Sequence, residues 1–427
     1  MAKWQLSRLN REYLTWIVWT LRLLVGATFI VSGLAKVIDE WGFVYKIEQY
    51  LSVWDVSMPR TVILTAAIGL SGAEFVFGLL LITGCYRRVI TWLLAATMAF
   101  MLPLSFYIMV ADPVSDCGCF GDLIKLSNDA TFIKNVILSI AIAYLTVFNH
   151  AVRGLYLPYC QWVVSLLSGI YALFVALFGY NVQPMLDFRS YPVSSRLVAD
   201  DTDFDESTVS YIYERNGERR EFTLDELPDS TWTFVTRQDA DLKIGSTLAI
   251  FDGDEDVTAD VLHGSGEQLF LTIPDLRRAD ISYTYLINEL NRYIAARGGE
   301  LIGLLATDRE GIDVWVDYSM AVYKCYSADD TAIKELARGN VGLVYVNDGV
   351  IVWKRNLWSV PSDVLTLSSH PLDFLSYDGK SRLITLTSLL IASLVSLALL
   401  QTMFLVLRNR VRHWRLKMAD KMIDRKE

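Results

Sequence analysis

The sequence predicts an α-helical membrane bundle carrying an α/β soluble domain. Three observations lead there. The 427 residues are 53% hydrophobic and only 20% charged, more apolar than the roughly 45–50% usual in soluble chains. Six stretches reach the length of about 20 mostly apolar residues that a spanning helix needs: residues 14–37, 61–83, 89–110, 132–148, 159–182 and 383–407. The net charge of −9 is split, with 19 basic and 35 acidic side chains in residues 182–383 against 20 basic and 13 acidic elsewhere. Whole-chain disorder and a collagen-like chain are excluded, and five cysteines are too few for a disulfide-dense scaffold. An acidic soluble part joined to a basic membrane part argues against nucleic acid as a partner and for contact with lipid.

The first span is too long, and too poor in cleavage-site residues, for a signal peptide. Orientation follows from basic residues in short connections. Lys3, Arg8 and Arg11 precede the first span, Arg87 and Arg88 follow the second, Arg153 follows the fourth, and eight basic residues from Arg408 to Lys426 follow the sixth. The opposite loops hold only Lys46, Arg60 and Lys125. Both termini are therefore expected on the cytoplasmic side, with loops 38–60 and 111–131 and the segment 183–382 outside.

The outward segment opens with Pro184, Pro192 and the acidic run from Asp200 to Glu206, which reads as a linker. Strands are expected at 210–215 and 220–224 around the turn dipeptide Asn216-Gly217. Further on, the pattern predicts strands at 268–273, 301–306 and 322–326, helices at 283–297 and 331–337, and a hairpin at 341–346 and 350–354 around Asn347-Asp348-Gly349. A last helix is expected near 361–367. The order β-α-β-β-α-β-β makes this an α/β domain.

The sharpest local signal is Asp116-Cys117-Gly118-Cys119-Phe120-Gly121-Asp122, in the outward loop between the third and fourth spans. Three readings stand: a labile redox pair, a static loop-bracing disulfide, and a metal site. Two thiolates alone do not complete a tetrahedral metal site, so no metal is assigned. A ring closed across a single glycine is strained, hence more oxidising than a structural bridge. Cys85 and Cys160 fall near the cytoplasmic ends of their spans and complete no relay, so a partner protein or a quinone would have to take or supply electrons. Lys36 and Lys134 lie near the outer ends of their spans, where either could snorkel to the interface or depress a thiol pKa; Asp116 and Asp122 oppose a second negative charge.

Inside the spans, Arg22 and Glu74 sit at similar depth and are expected to pair, with Glu74 as a proton carrier the alternative. Small residues nearby (Gly26, Gly33, Gly69, Gly72, Ala73, Gly78) permit close helix approach. The run Asp252–Asp256 reads as a turn rather than a calcium loop, because Val257 stands where such a loop needs glycine. The four histidines are scattered, and Cys325 reads as a small core residue.

The motif Arg22-x3-Gly26-x2-Phe29-x2-Ser32-Gly33-x2-Lys36-x2-Asp39, the motif Ala73-Glu74-x3-Gly78-Leu79-Leu80 and the Cys117-Gly118-Cys119-Phe120-Gly121 loop resemble the DoxX-like membrane family, and more closely its MauE-type redox-associated branch. Gly42-x2-Tyr45-Lys46-Ile47-Glu48-x-Tyr50-Leu51 and the outward segment resemble a bacterial subfamily with an added thioredoxin-like domain. In that domain the dithiol position reads Ile273-Pro274-Asp275-Leu276-Arg277-Arg278-Ala279-Asp280, without cysteine, and Val341 takes the place of the family's cis-proline. The resemblance implies a DoxX-like four-helix core (1–158), a fifth transmembrane helix (159–182), a linker with a small β element (183–245), a degenerate thioredoxin-like periplasmic domain (246–382), and a sixth transmembrane helix with a basic tail (383–427). It further implies a bacterial inner-membrane protein in thiol-disulfide exchange or periplasmic protein maturation. Cys117 and Cys119 would be the reacting groups, a periplasmic thiol protein the partner and a quinone a possible cofactor. The competing expectation is a non-catalytic scaffold whose soluble domain binds periplasmic partners.

Overall fold

The computed structural model describes residues 2–114, 117–197, 209–215, 218–223, 233–239, 248–361, 372 and 375–423. It divides into two units, Met1–Tyr180 with Asp378–Glu427, and Asn181–Tyr377.

The first unit is helical: α1 (Ala2–Ile38), α2 (Glu40–Val53), α3 (Arg60–Thr83), α4 (Arg87–Ala111), α5 (Asn128–Phe148), α6 (Gln161–Asn181) and a C-terminal helix (Gly379–Ile423). Six of these contain stretches long and apolar enough to cross a membrane, each overlapping one of the six predicted. The chain is a multi-pass membrane protein. Helix α2 departs from expectation, since residues 38–60 read as a loop. Asp39 caps it by accepting from the Gly42 amide at 3.0 Å, and Phe43, Val44, Ile47 and Leu51 pack against Ile63 and Ala67 of α3. That one-sided apolar spacing is the signal that identifies an amphipathic helix.

Helices α1 and α3 run against each other at backbone distance. A Cβ at Gly33 would stand 2.3 Å from the Phe75 nitrogen, so only glycine allows the approach. The C-terminal helix is fixed to the same unit by polar contacts. The Tyr156 hydroxyl donates to the Leu394 carbonyl at 2.8 Å, and the Gln401 amide exchanges bonds with Leu155 and Leu157 backbone.

The expected Arg22–Glu74 pair does not form. The contact of Arg22 with Gly84 sets the register: Arg22 lies level with the end of α3, and Glu74, ten residues earlier, is about 15 Å away along the axis. Arg22 is wholly buried and donates to the Asn149 side chain at 2.6 Å and to the carbonyls of Asn149, Val152 and Arg153 at 3.0, 2.8 and 3.2 Å. It therefore satisfies the carbonyls exposed at the end of α5 and compensates the negative pole of that helix.

The second unit holds two sheets. In the smaller, β1 (Val209–Arg215), β2 (Glu218–Thr223) and β3 (Thr233–Asp239) are antiparallel in the order β2-β1-β3. The turn dipeptide Asn216-Gly217 and the linker residues 200–206 lie outside the described residues. The larger sheet contains β4 (Ile250–Asp252), β5 (Glu255–Asp256), β6 (Glu267–Ile273), β7 (Glu300–Leu305), β8 (Lys324–Ala328), β9 (Gly342–Asn347) and β10 (Val350–Asn356) in the order β10-β9-β6-β7-β8-β4-β5. Strands β6, β7 and β8 are parallel and the remaining pairs antiparallel. A four-residue helix, α7 (Thr258–Val261), precedes β6, and α8 (Thr284–Ala295) joins β6 to β7. Helix α9 (Arg309–Ser319) joins β7 to β8, and α10 (Asp330–Leu336) joins β8 to β9. Helix α9 is absent from the sequence reading because it buries only Trp315 and Ser319, too thin an apolar stripe to register. The order is therefore β-α-β-α-β-α-β-β. Residues 362–370, which cover most of the expected last helix, lie outside the described residues.

The alternation of β6 divides the core. Leu269, Leu271 and Ile273 pack with Leu286, Leu290 and Ile294 of α8, whereas Phe270 packs on the other face with Ile333 and Leu336 of α10. Cys325 lies against the first cluster, its thiol pushed up to about 12 by burial. On β10, Lys354 is 1% exposed and donates to Asp187 at 2.9 Å and to the Tyr191 carbonyl; Arg189 makes two bonds to the same carboxylate, at 2.6 and 2.7 Å. Burial opposes ionisation of Asp187, but the two cations hold its carboxyl well below the usual range. Asp187→Asn leaves both cations uncompensated, and we expect a loss of about 3 kcal/mol in the stability of this unit. Limited proteolysis of the full-length protein across a urea series measures it.

Candidate functional site

Helix α4 stops at Ala111, α5 starts at Asn128, and the loop between them folds back on the bundle. Val114, Cys117, Cys119 and Phe120 bury against Ile108, with Tyr50, Met101, Leu104 and Leu126 packed around them. Gly118 is required twice. Its φ of +66° suits glycine, and a Cβ there would meet Lys46 Cγ at 2.7 Å. The turn this permits sets the Cys117 and Cys119 sulfurs 2.9 Å apart as two free, buried thiols.

Two elements reach the loop from beneath. From α1, the Ser32 hydroxyl lies 2.6 Å from the Cys119 carbonyl oxygen and 2.7 Å from Glu74 Oε2 on α3, so its single proton serves two acceptors. Lys36, one turn further along α1, is 3% exposed and bonds both Glu74 oxygens at 2.7 and 2.8 Å. Its ammonium also stands 5.0 Å from the Phe43 ring. The close approach at Gly33 places Ser32 and Lys36 against Glu74. Lys36 thus pairs inside the bundle instead of snorkelling. From α5, Lys134 Nζ lies 4.6 Å above the Phe120 ring. On the remaining side, the Tyr50 hydroxyl of α2 donates to the Cys117 carbonyl at 3.0 Å.

This surround splits the two thiols. The Cys119 pKa falls to about 6, because Cys117 donates to its sulfur and the ammonium groups of Lys134 and Lys36 outweigh burial. Cys117 moves strongly upward, its proton held by Cys119 and its charge disfavoured by burial. Beside the site, Glu40 is wholly buried; the Ser71 hydroxyl donates to its Oε1 at 2.5 Å, and its Oε2 has no partner among the described residues. Burial lifts its carboxyl to about 8, and Asp39 adds to the shift.

The structure therefore brings together Cys117, Cys119, Lys36, Lys134 and Glu74. Arg22 belongs elsewhere. Asp122 is half-buried past Phe120, and Asp116 lies outside the described residues. Sequence reasoning singled out neither Tyr50 nor Glu40 as site residues, because both sit on the helix read as a loop. Ser32 stood inside a recognised motif but carried no assigned role. Cys85 and Cys160 are buried and carry no part of this constellation.

A polytopic helical unit with a buried dithiol loop resting on a lysine–glutamate pair is the class that these features define. The family model of methylamine utilisation protein MauE matches residues 14–148, which cover the first four spans and the cysteine loop. A domain of unknown function, DUF8463, matches residues 208–242. Protein TlpB of Flavobacterium psychrophilum is 26% identical over 136 residues, 31% of this chain. The match spans 36% of that relative's length. No solved structure matches the chain.

Proposed function

We propose that this is a bacterial inner-membrane thiol-disulfide oxidoreductase that uses Cys117 and Cys119 to oxidise a periplasmic protein partner. The observation that carries the reading is the pair of sulfurs 2.9 Å apart with two lysines placed to hold one of them as thiolate. In the oxidised state a substrate thiolate attacks Cys117, the S–S bond breaks, and Cys119 leaves as the thiolate, since the sulfur of lower pKa is the better leaving group. A second substrate thiol then displaces Cys117, giving the substrate disulfide and the reduced pair. Cytoplasmic termini and a periplasmic Asn181–Tyr377 unit follow from the distribution of basic residues.

The second unit we read as a degenerate thioredoxin-like domain that binds the partner without redox chemistry of its own. Three parallel strands joined by helices, with the β9–β10 hairpin on the far side of β6, support the likeness. Where a dithiol would stand, Asp275 instead exchanges two 2.8 Å hydrogen bonds with Asn340. That closure favours a binding role for this unit and keeps a scaffold function as the second reading.

The test is a glutathione redox series on the membrane-embedded protein, with alkylation mapped by mass. Cys119 should be modified with a midpoint near pH 6, while Cys117 stays protonated, and the pair should change state within the series. Full reduction under periplasm-like conditions, or persistence of the disulfide below about −300 mV, would overturn the redox reading.

A further inference from the structure

The electrons that this reading delivers to Cys117 and Cys119 need a destination. Next to Cys119, between α1, α3, α4 and α5, lies a cavity of about 30 Å³. Its floor is apolar, formed by Phe29, Met98 and Met101. Its polar wall holds Ser32, Lys36, Glu74, Lys134 and Asn135. Asn135 is 3% exposed, and its Nδ2 has no hydrogen-bond partner among the described residues. A buried amide donor without an acceptor is uncommon, because the lost solvation is uncompensated. Thr28, Lys134 and Leu138 on the cavity rim are half-exposed on helices that cross the membrane, so the opening faces lipid.

We infer that this cavity receives a carbonyl edge of a membrane-soluble quinone, with Asn135 Nδ2 donating to the carbonyl oxygen and Cys119 as the neighbouring reductant. The inference rests on the thiol-redox reading above and supplies its electron acceptor. Each demand of the site selects this class. The ligand arrives through lipid, so it is apolar. It presents a hydrogen-bond acceptor to a neutral amide, so it carries a carbonyl. It takes two electrons from a dithiol, so it is a two-electron oxidant. The enclosed volume suits one or two water molecules or a carbonyl edge, and the ring extends outward past Leu138. The reaction balances: the Cys117 S–H bond breaks, its sulfur and the Cys119 thiolate form one S–S bond, and the quinone gains two electrons, the Cys117 proton and a second proton taken from solvent to become the quinol. Cys119 lines the cavity and Cys117 does not, so the two sulfurs divide the work between quinone and protein partner.

The experiment uses the reduced full-length protein in lipid nanodiscs, without oxygen, mixed with a short-chain quinone. Quinol is followed by absorbance and thiols by alkylation mass. We expect one quinol per disulfide formed. Asn135→Leu should raise the quinone KM by about ten-fold, the size of one lost hydrogen bond in a buried site, with a smaller effect on kcat. Leu138→Trp, which fills the rim without removing a polar group, should block quinone reduction and decides the matter if Asn135→Leu does not fold. Wild-type KM in both variants would overturn the site. Oxidation of the pair by glutathione disulfide but not by quinone would overturn the quinone inference and leave the thiol reading standing. Failure of both oxidants to form the disulfide would remove the thiol reading itself.

Discussion

Glu74→Gln should destabilise the helical unit by about 3–5 kcal/mol, because it leaves the Lys36 ammonium buried without a counter-charge. Lys36 is 3% exposed and bonds both oxygens of this carboxylate. A water in the adjoining cavity would carry no counter-charge, so the lost carboxylate is not replaced. Thermal unfolding in detergent, read beside the amount of protein in the membrane fraction, measures the effect. The double variant Lys36→Met/Glu74→Leu removes both charges together and should recover much of the loss, since replacing a whole buried pair is far milder than breaking it. Recovered stability should not bring back reactivity, because Cys119 then lacks one of its two ammonium neighbours. If Glu74→Gln unfolds at the wild-type temperature, the pair is not what supports the loop.

The second large effect concerns the two cysteines separately. Cys119→Ser should abolish turnover, because no Cys117–Cys119 disulfide can form; given the disulfide form of the partner, its Cys117 should displace one partner sulfur as a thiol and accumulate as the mixed disulfide, because no Cys119 thiolate remains to release it. Cys117→Ser should abolish turnover without accumulating that adduct, since its remaining sulfur faces the cavity side. Affinity purification after rapid acid quenching and alkylation, followed by non-reducing electrophoresis, distinguishes the two. Equal trapping by both variants, or trapping only through Cys119, would reverse the assignment of the attacked sulfur.

Much of this architecture is legible in the residues. Six long apolar stretches leave little choice of element, and the period-2 and period-3.6 patterns of Leu269–Ile273 and Leu286–Ile294 mark a buried strand and its covering helix. Two elements escape: α9 buries only two residues, and α2, although one-sided, is a short helix in the connection between two spans, which was read as a loop. The site was half legible. Cysteines two apart announce themselves, and a lysine within a span invites a partner. The choice of partner was not readable, because it depends on helix register. Counting depth from span ends paired Arg22 with Glu74, but the Gly84 contact places Arg22 at the opposite end and gives Glu74 to Lys36. Charge-bearing residues in a bundle find counter-charges according to how the backbones abut, and the sequence records that only through scattered glycines.

The grip of Arg22 has a mechanical consequence. Four hydrogen bonds from α1, together with the bond from Arg87 to Val152, rivet the turn at the end of α5. Near the other end, Thr131 Oγ1 and Asn135 Nδ2 are without partners among the described residues. That end is tied instead through Asn128, which donates to Asp112 at 2.7 Å and to the Val114 carbonyl at 3.1 Å, so the fulcrum of any tilt lies at the Arg22 pin. Asn135 stands about 21 Å along α5 from Asn149 at 1.5 Å per residue, so a tilt of about 5° carries it about 2 Å sideways. A rotation that leaves the fulcrum undisturbed therefore widens the slot beside Cys119 by more than half the thickness of a flat ring. Such a tilt would be confined to α5 and would leave in place the lysine–glutamate pair, which joins α1 to α3.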